Sequence, residues 1–162
     1  MNNLPSELAG LRLPIWSELP DLDLYMDQVL SLAEKYLGPL SSTESHRITA
    51  SMINNYVKLG VMPAPVKKKY SREHLAYVVM ICVLKSVLPI SDVRQLIDRE
   101  LDSSDFPAAY NRFCNCFGRA SAEAYAAAEG CESDAALVAA LRAQAEQTLA
   151  ESLLSKSSTA SD

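Results

Sequence analysis

The chain has 162 residues, of which 49% are hydrophobic and only five are glycine, so it can hold one core and favours helices. Its longest apolar run, Leu75 to Leu84, is ten residues, about half of what a membrane span needs. The formal net charge of −5 hides an asymmetry: residues 44–80 carry six bases against two acids, whereas residues 1–43 carry two against six.

The opening "MNNLPSELAG" lacks the basic-then-apolar pattern of a signal peptide, so a cytoplasmic protein with reduced thiols is expected. Residues 1–20 hold three prolines and no helical period. They predict an extended arm whose Leu13, Ile15 and Trp16 pack onto the domain. Asp21 is a good N-cap, and Leu22, Tyr25, Met26, Val29, Ala33, Tyr36 and Leu37 follow at helical spacing. Gly38-Pro39 stops that first helix. The polar stretch "LSSTESHR" predicts a loop.

Thr49 caps a second helix over 50–59, with Ala50, Ile53 and Val57 inward and Tyr56 at the edge. Gly60 suits the position just past its end. "VMPAPVKKKY" has two prolines and three lysines, so it reads as a short two-stranded loop or an extended wing over 63–70. Ser71 caps a third helix that is apolar on every face and therefore central. Pro89 breaks it. Ser91 caps a fourth helix, with Val93, Leu96, Ile97 and Leu101 inward and Arg94 set to pair with Asp98. Asp105 and Pro107 open a fifth, aromatic helix that Gly118 ends. Alanine-rich helix then runs from Ala120 to about Ser155, with "EGCES" interrupting it, and residues 156–162 read as a disordered tail. The domain plan is an arm over 1–20, a main domain over 21–101, and a helical segment over 102–155.

No enzyme signature emerges. His46 and His74 lack partners at metal-ligand spacing, and His74, in the first turn of a helix, reads as a surface residue. There is no phosphate-binding glycine loop and no nucleophile elbow. Cys114 and Cys116 stand two apart, about 200° around a helix, so they cannot both face one ion. Buried structural cysteine is the simpler reading for them and for Cys131. The expectation is a non-enzyme with no metal and no cofactor.

The basic stretch remains. Ser51, Asn54, Asn55 and Lys58 share the outer side of the second helix, with Tyr56 at its edge, where short polar groups reach base edges or phosphates. Lys67, Lys68, Lys69 and Tyr70, with Arg72 beyond, suit a phosphate backbone. The plain alternative is a solvated basic face.

These residues resemble the MerR-type winged helix-turn-helix. Met52-Ile53-Asn54-Asn55-Tyr56 lines up with that family's Thr-Leu-Arg-Tyr-Tyr recognition core, and Gly60-Val61 with its Gly-Leu. Lys68-Lys69-Tyr70-Ser71 lines up with the wing, and Ile90-Ser91-Asp92-Val93 with the last helix. Asn54 stands where that family has arginine, which leaves the phosphate grip to Lys58 and the wing. "LPDLDLYMDQV", "MINNYVK" and "KKYSREHL" resemble more closely a bacterial domain family of unknown function, over roughly residues 10 to 100.

The fold expected is all-α: a MerR-like winged-helix domain with C-terminal helices. The resemblance implies a transcriptional regulator that binds double-stranded DNA, as a homodimer, without a membrane and with no effector named. Leu137, Leu141, Leu149 and Leu153 form a seam that serves a dimer or packs back on its own domain. The alternatives are a protein-interaction module that kept the winged fold without DNA, and a small-molecule sensor using Tyr110, Phe113 and Phe117.

Overall fold

Thr49 accepts a hydrogen bond from the Met52 backbone N–H at 3.3 Å and so starts a helix at Ala50. Five other helices accompany it among the described residues. The computed structural model describes residues 10–40, 47–101, 105–129 and 134–158. Within them run α1 (Met26–Leu37), α2 (Ala50–Lys58), α3 (Arg72–Lys85), α4 (Ile90–Leu101), α5 (Phe106–Glu129) and α6 (Ala135–Ser158). Two 3₁₀ turns, Trp16–Glu18 and Gly38–Leu40, flank α1. Among the described residues extended pairing is limited to two isolated antiparallel bridges, Leu24 with Tyr70 and Val66 with Lys69. The all-helical expectation is met at that level. No described helix is long and apolar enough to cross a membrane.

The chain divides into two compact units, Leu13–Cys114 and a second that takes in Met1–Arg12 and Asn115–Asp162. The first is organised around α3. Leu75, Val78, Val79, Met80 and Ile81 are each at most 1% exposed. Each such side chain contributes about 1.5–3 kcal/mol on burial. Helix α1 brings Val29 and Ala33 to this core, α2 brings Ile53 and Tyr56, and α4 brings Val93 and Ile97. Arg94 pairs with Asp98 at 3.6 Å, as the spacing predicts, and also donates to the Leu59 carbonyl at 3.1 Å. It thereby caps the end of α2, beside Gly60, which takes a left-handed φ of 69°.

Residues 13–19 of the arm pack as a strap. Leu13 and Leu19 are buried, while Ile15 remains 38% exposed. The Pro14 carbonyl accepts from the Tyr110 hydroxyl at 2.9 Å and from the Cys114 thiol at 3.4 Å. Asn111 Oδ1 accepts from the Trp16 N–H at 2.8 Å. The Trp16 ring meets Phe106 and Tyr110 edge-on, at 5.7 and 6.2 Å.

Four expectations need correction. Helix α1 begins at Met26 rather than after Asp21, because Leu24 is taken by a pair of 2.8 Å backbone bonds with Tyr70. Gln28 Oε1 then accepts from the Tyr25 N–H at 2.8 Å to start the helix. Ile90 is already helical, one residue before Ser91, because the Pro89 carbonyl accepts the first N–H groups. Gly118 does not end α5, which continues to Glu129; one glycine costs about 1 kcal/mol, and the alanines after it carry the helix on. Helix α6 reaches Ser158, so its end is not a tail from residue 156. The expected interruption at Gly130–Ser133 lies outside the described residues.

In the second unit α6 is largely exposed. Leu137, Leu141, Leu149 and Leu153 are 56–61% exposed and Leu154 is buried.

Candidate nucleic-acid interface

Helix α2 puts Ser51, Asn54, Asn55 and Lys58 outward, all exposed. The amphipathic split follows from Ile53 and Tyr56 facing the core. Tyr56 is 1% exposed and belongs to that buried face, which corrects its assignment to the surface. The reason is simple spacing: it lies three residues from Ile53, on the same side. Its hydroxyl is buried without a hydrogen-bond partner. Burial pushes that hydroxyl's pKa up strongly, and the Cys82 thiol adds to the effect. Lys85 of α3 stands 5.5 Å from the ring centroid.

After Gly60 the chain buries Val61 and Met62, then turns outward. Val66 and Lys69 exchange two backbone bonds, at 2.9 and 3.1 Å, around a two-residue loop. The loop residues are Lys67 and Lys68, with φ of 51° and 64°. Positive φ at both central positions marks the type I′ hairpin turn, which Asn-Gly fits and lysine does not. A left-handed residue with a Cβ costs about 1–2 kcal/mol. Lys67, Lys68 and Lys69 are all exposed.

The hairpin is fixed at its base by two residues whose buried places the sequence reading did not anticipate. Tyr70 is 4% exposed, locked by its backbone pair with Leu24, so its ring is structural and not part of a surface. Burial raises its hydroxyl's pKa. His74 is also buried, which corrects its reading as a surface residue. Its Nδ1 accepts from the Ser71 N–H at 3.0 Å, which leaves Nε2 as the donor to the Ala64 carbonyl at 3.0 Å. The Ser71 hydroxyl lies 2.8 Å from the same Nδ1. One imidazole thus ties the segment before the hairpin to the start of α3. The Ser-x-x-His spacing was the available signal: it is a capping box with His in the place of Glu.

Arg72 is committed elsewhere. It pairs with Asp21 at 3.3 Å and lies 5.4 Å from the Trp16 ring centroid, with its Nε buried and unpartnered. It braces the arm against α3. Lys69 stands 5.7 Å from the Tyr25 ring centroid. Of the ten residues singled out, the four on α2 and the three lysines form two exposed polar sets; Tyr56, Tyr70 and Arg72 hold the frame.

The remaining chemistry is quiet. Cys114 is buried and Cys116 exposed, as opposite sides of a helix require; Cys131 lies outside the described residues. Burial pushes the Cys82 thiol up to about 12, against a smaller opposing pull from Lys85.

A family model described as a domain of unknown function (DUF1836) matches residues 14–113. The chain belongs to the DUF1836 family. No curated protein and no solved structure matches it. The DUF1836 match and the compact unit Leu13–Cys114 agree to within one residue at each end. The DUF1836 domain thus includes the strap, the hairpin and the first turns of α5.

Proposed function

We propose that this DUF1836 chain is a cytoplasmic, MerR-like winged-helix regulator that binds duplex DNA. Helix α2 presents Ser51, Asn54, Asn55 and Lys58 to the duplex, and the hairpin is the wing whose Lys67, Lys68 and Lys69 meet phosphates. One observation carries the reading: two lysines occupy left-handed positions at an exposed turn. Such a turn costs stability that Asn-Gly would not, and cationic charge at the tip is what the lysines add. The four exposed leucines of α6 support a dimer, which gives a small module two half-sites.

A protein-interaction module without DNA is the second reading. The observation favouring it is acidic: Asp23 directly precedes the Leu24–Tyr70 pair, and Arg72 is already held by Asp21.

Fluorescence anisotropy with labelled duplex at two salt concentrations separates the readings. The DNA reading expects micromolar or tighter binding that falls steeply with salt. Replacing Lys67, Lys68 and Lys69 together by alanine should weaken binding to every sequence, whereas Asn54→Ala should change sequence preference. Absence of binding at low salt would transfer the case to the protein-interaction reading.

A further inference from the structure

Tyr25 is expected inside α1, among residues at helical spacing. It lies instead just before the helix, in extended conformation (φ −84°, ψ 162°), and is 56% exposed. Its backbone is fully occupied: Gln28 accepts from its N–H, and its carbonyl accepts from the Val29 N–H. The neighbouring Leu24 is pinned to Tyr70. The backbone that carries the ring is therefore held in place while much of the residue faces solvent. Lys69 reaches to 5.7 Å from its centroid, and Val66, 69% exposed, is the cross-strand partner of Lys69. An aromatic ring, a lysine stem and an apolar side chain thus adjoin the cationic turn of Lys67 and Lys68.

We infer that Tyr25 is a stacking platform for an unpaired nucleobase, so that the hairpin also takes single-stranded nucleic acid. The inference rests on the nucleic-acid reading of the lysines. Charge decides what sits where. Asp23 and Asp27, both exposed, flank Tyr25 in sequence and repel a phosphodiester. A neutral π-face meets no such repulsion at Tyr25. The phosphates then run past Lys67 and Lys68, and the base turns toward the ring. In a duplex the base faces are already stacked on each other, so this platform selects unpaired bases.

The test uses the full chain with a labelled oligothymidylate of about 20 nucleotides, long enough for any single-strand site of ordinary size, and a duplex of equal length. Wild type, Tyr25→Ala, Tyr25→Phe and the triple lysine-to-alanine variant are compared, with thermal melts to verify folding. Tyr25→Ala should weaken oligothymidylate binding roughly five- to a hundredfold, with duplex binding little changed and Tyr25→Phe close to wild type. If Tyr25→Ala holds oligothymidylate as wild type does while the lysine variant loses it, the platform is wrong and the basic hairpin stands. If the lysine variant also binds both probes as wild type does, or if wild type binds neither at low salt, the nucleic-acid reading of the lysines fails and the platform fails with it. A melted Tyr25→Ala leaves Tyr25→Phe and Tyr25→Leu to decide: stacking requires Phe to bind and Leu to lose affinity.

Discussion

The hairpin and helix α3 are separated by two residues and obey opposite rules. In α3 every local choice agrees with the fold: a capping box at Ser71, apolar residues on all faces, and a stop before Pro89. Between Val66 and Lys69 the local choice disagrees, since lysines sit where the backbone favours Asn-Gly. Consistency across levels marks residues whose task is folding, and a local conflict held in place by good neighbours marks a task of another kind. His74 is the joint between the two regions, buried like the helix and bonded to the segment before the hairpin.

Three perturbations sharpen this contrast. The largest concerns Cys82, partly buried on α3. The Cys82 thiol ordinarily ionises at 9.0 and is pushed up to about 12 by burial. Between these values the unfolded chain loses its proton first, so stability is fully present below pH 9 and falls as pH rises toward 12. The loss is on the order of 2–4 kcal/mol at one pKa unit per 1.4 kcal/mol. Urea denaturation across pH 8–11 should show it, and Cys82→Ala should fall less steeply with pH. Next is the joint: His74→Ala removes the acceptor for the Ser71 N–H and the donor to Ala64, costing about 2 kcal/mol. Hydrogen exchange should then rise in residues 64–71 more than in α3. Equal loss of protection throughout would mean that His74 is only a core residue.

Much of this frame was legible from short-range chemistry. Thr49 as a cap, Gly60 past the end of α2, the all-round apolar helix and the Arg94–Asp98 pair each depend on neighbours within a turn or two. Long-range contacts were not legible. Leu24 and Tyr70 pair across 46 positions, and nothing in "LPDLDLYMDQV" signals that its first half is extended. The same pair decided the candidate site, exposing Tyr25 while burying Tyr70. Tyr56 was misjudged because a tyrosine hydroxyl ordinarily seeks water or a partner when placed near a surface. Here the hydroxyl is buried with no protein partner among the described residues. The lysine triplet was visible from the start; that two of its members carry left-handed φ was not, since lysine gives no sequence signal for it.

The smallest change in energy is also the most direct test of the central claim. Lys67→Asn with Lys68→Gly gives the turn the residues it favours. The account predicts a higher Tm, from about 1–2 kcal/mol of relieved strain. It also predicts weaker duplex binding, with a salt slope shallower by about two, one for each lost phosphate contact. Anisotropy titrations of this variant beside wild type read the second effect, and a melt reads the first. A variant that is more stable and binds less would mean that the lysines are kept for their charge. A variant that binds with undiminished affinity and slope would contradict the account.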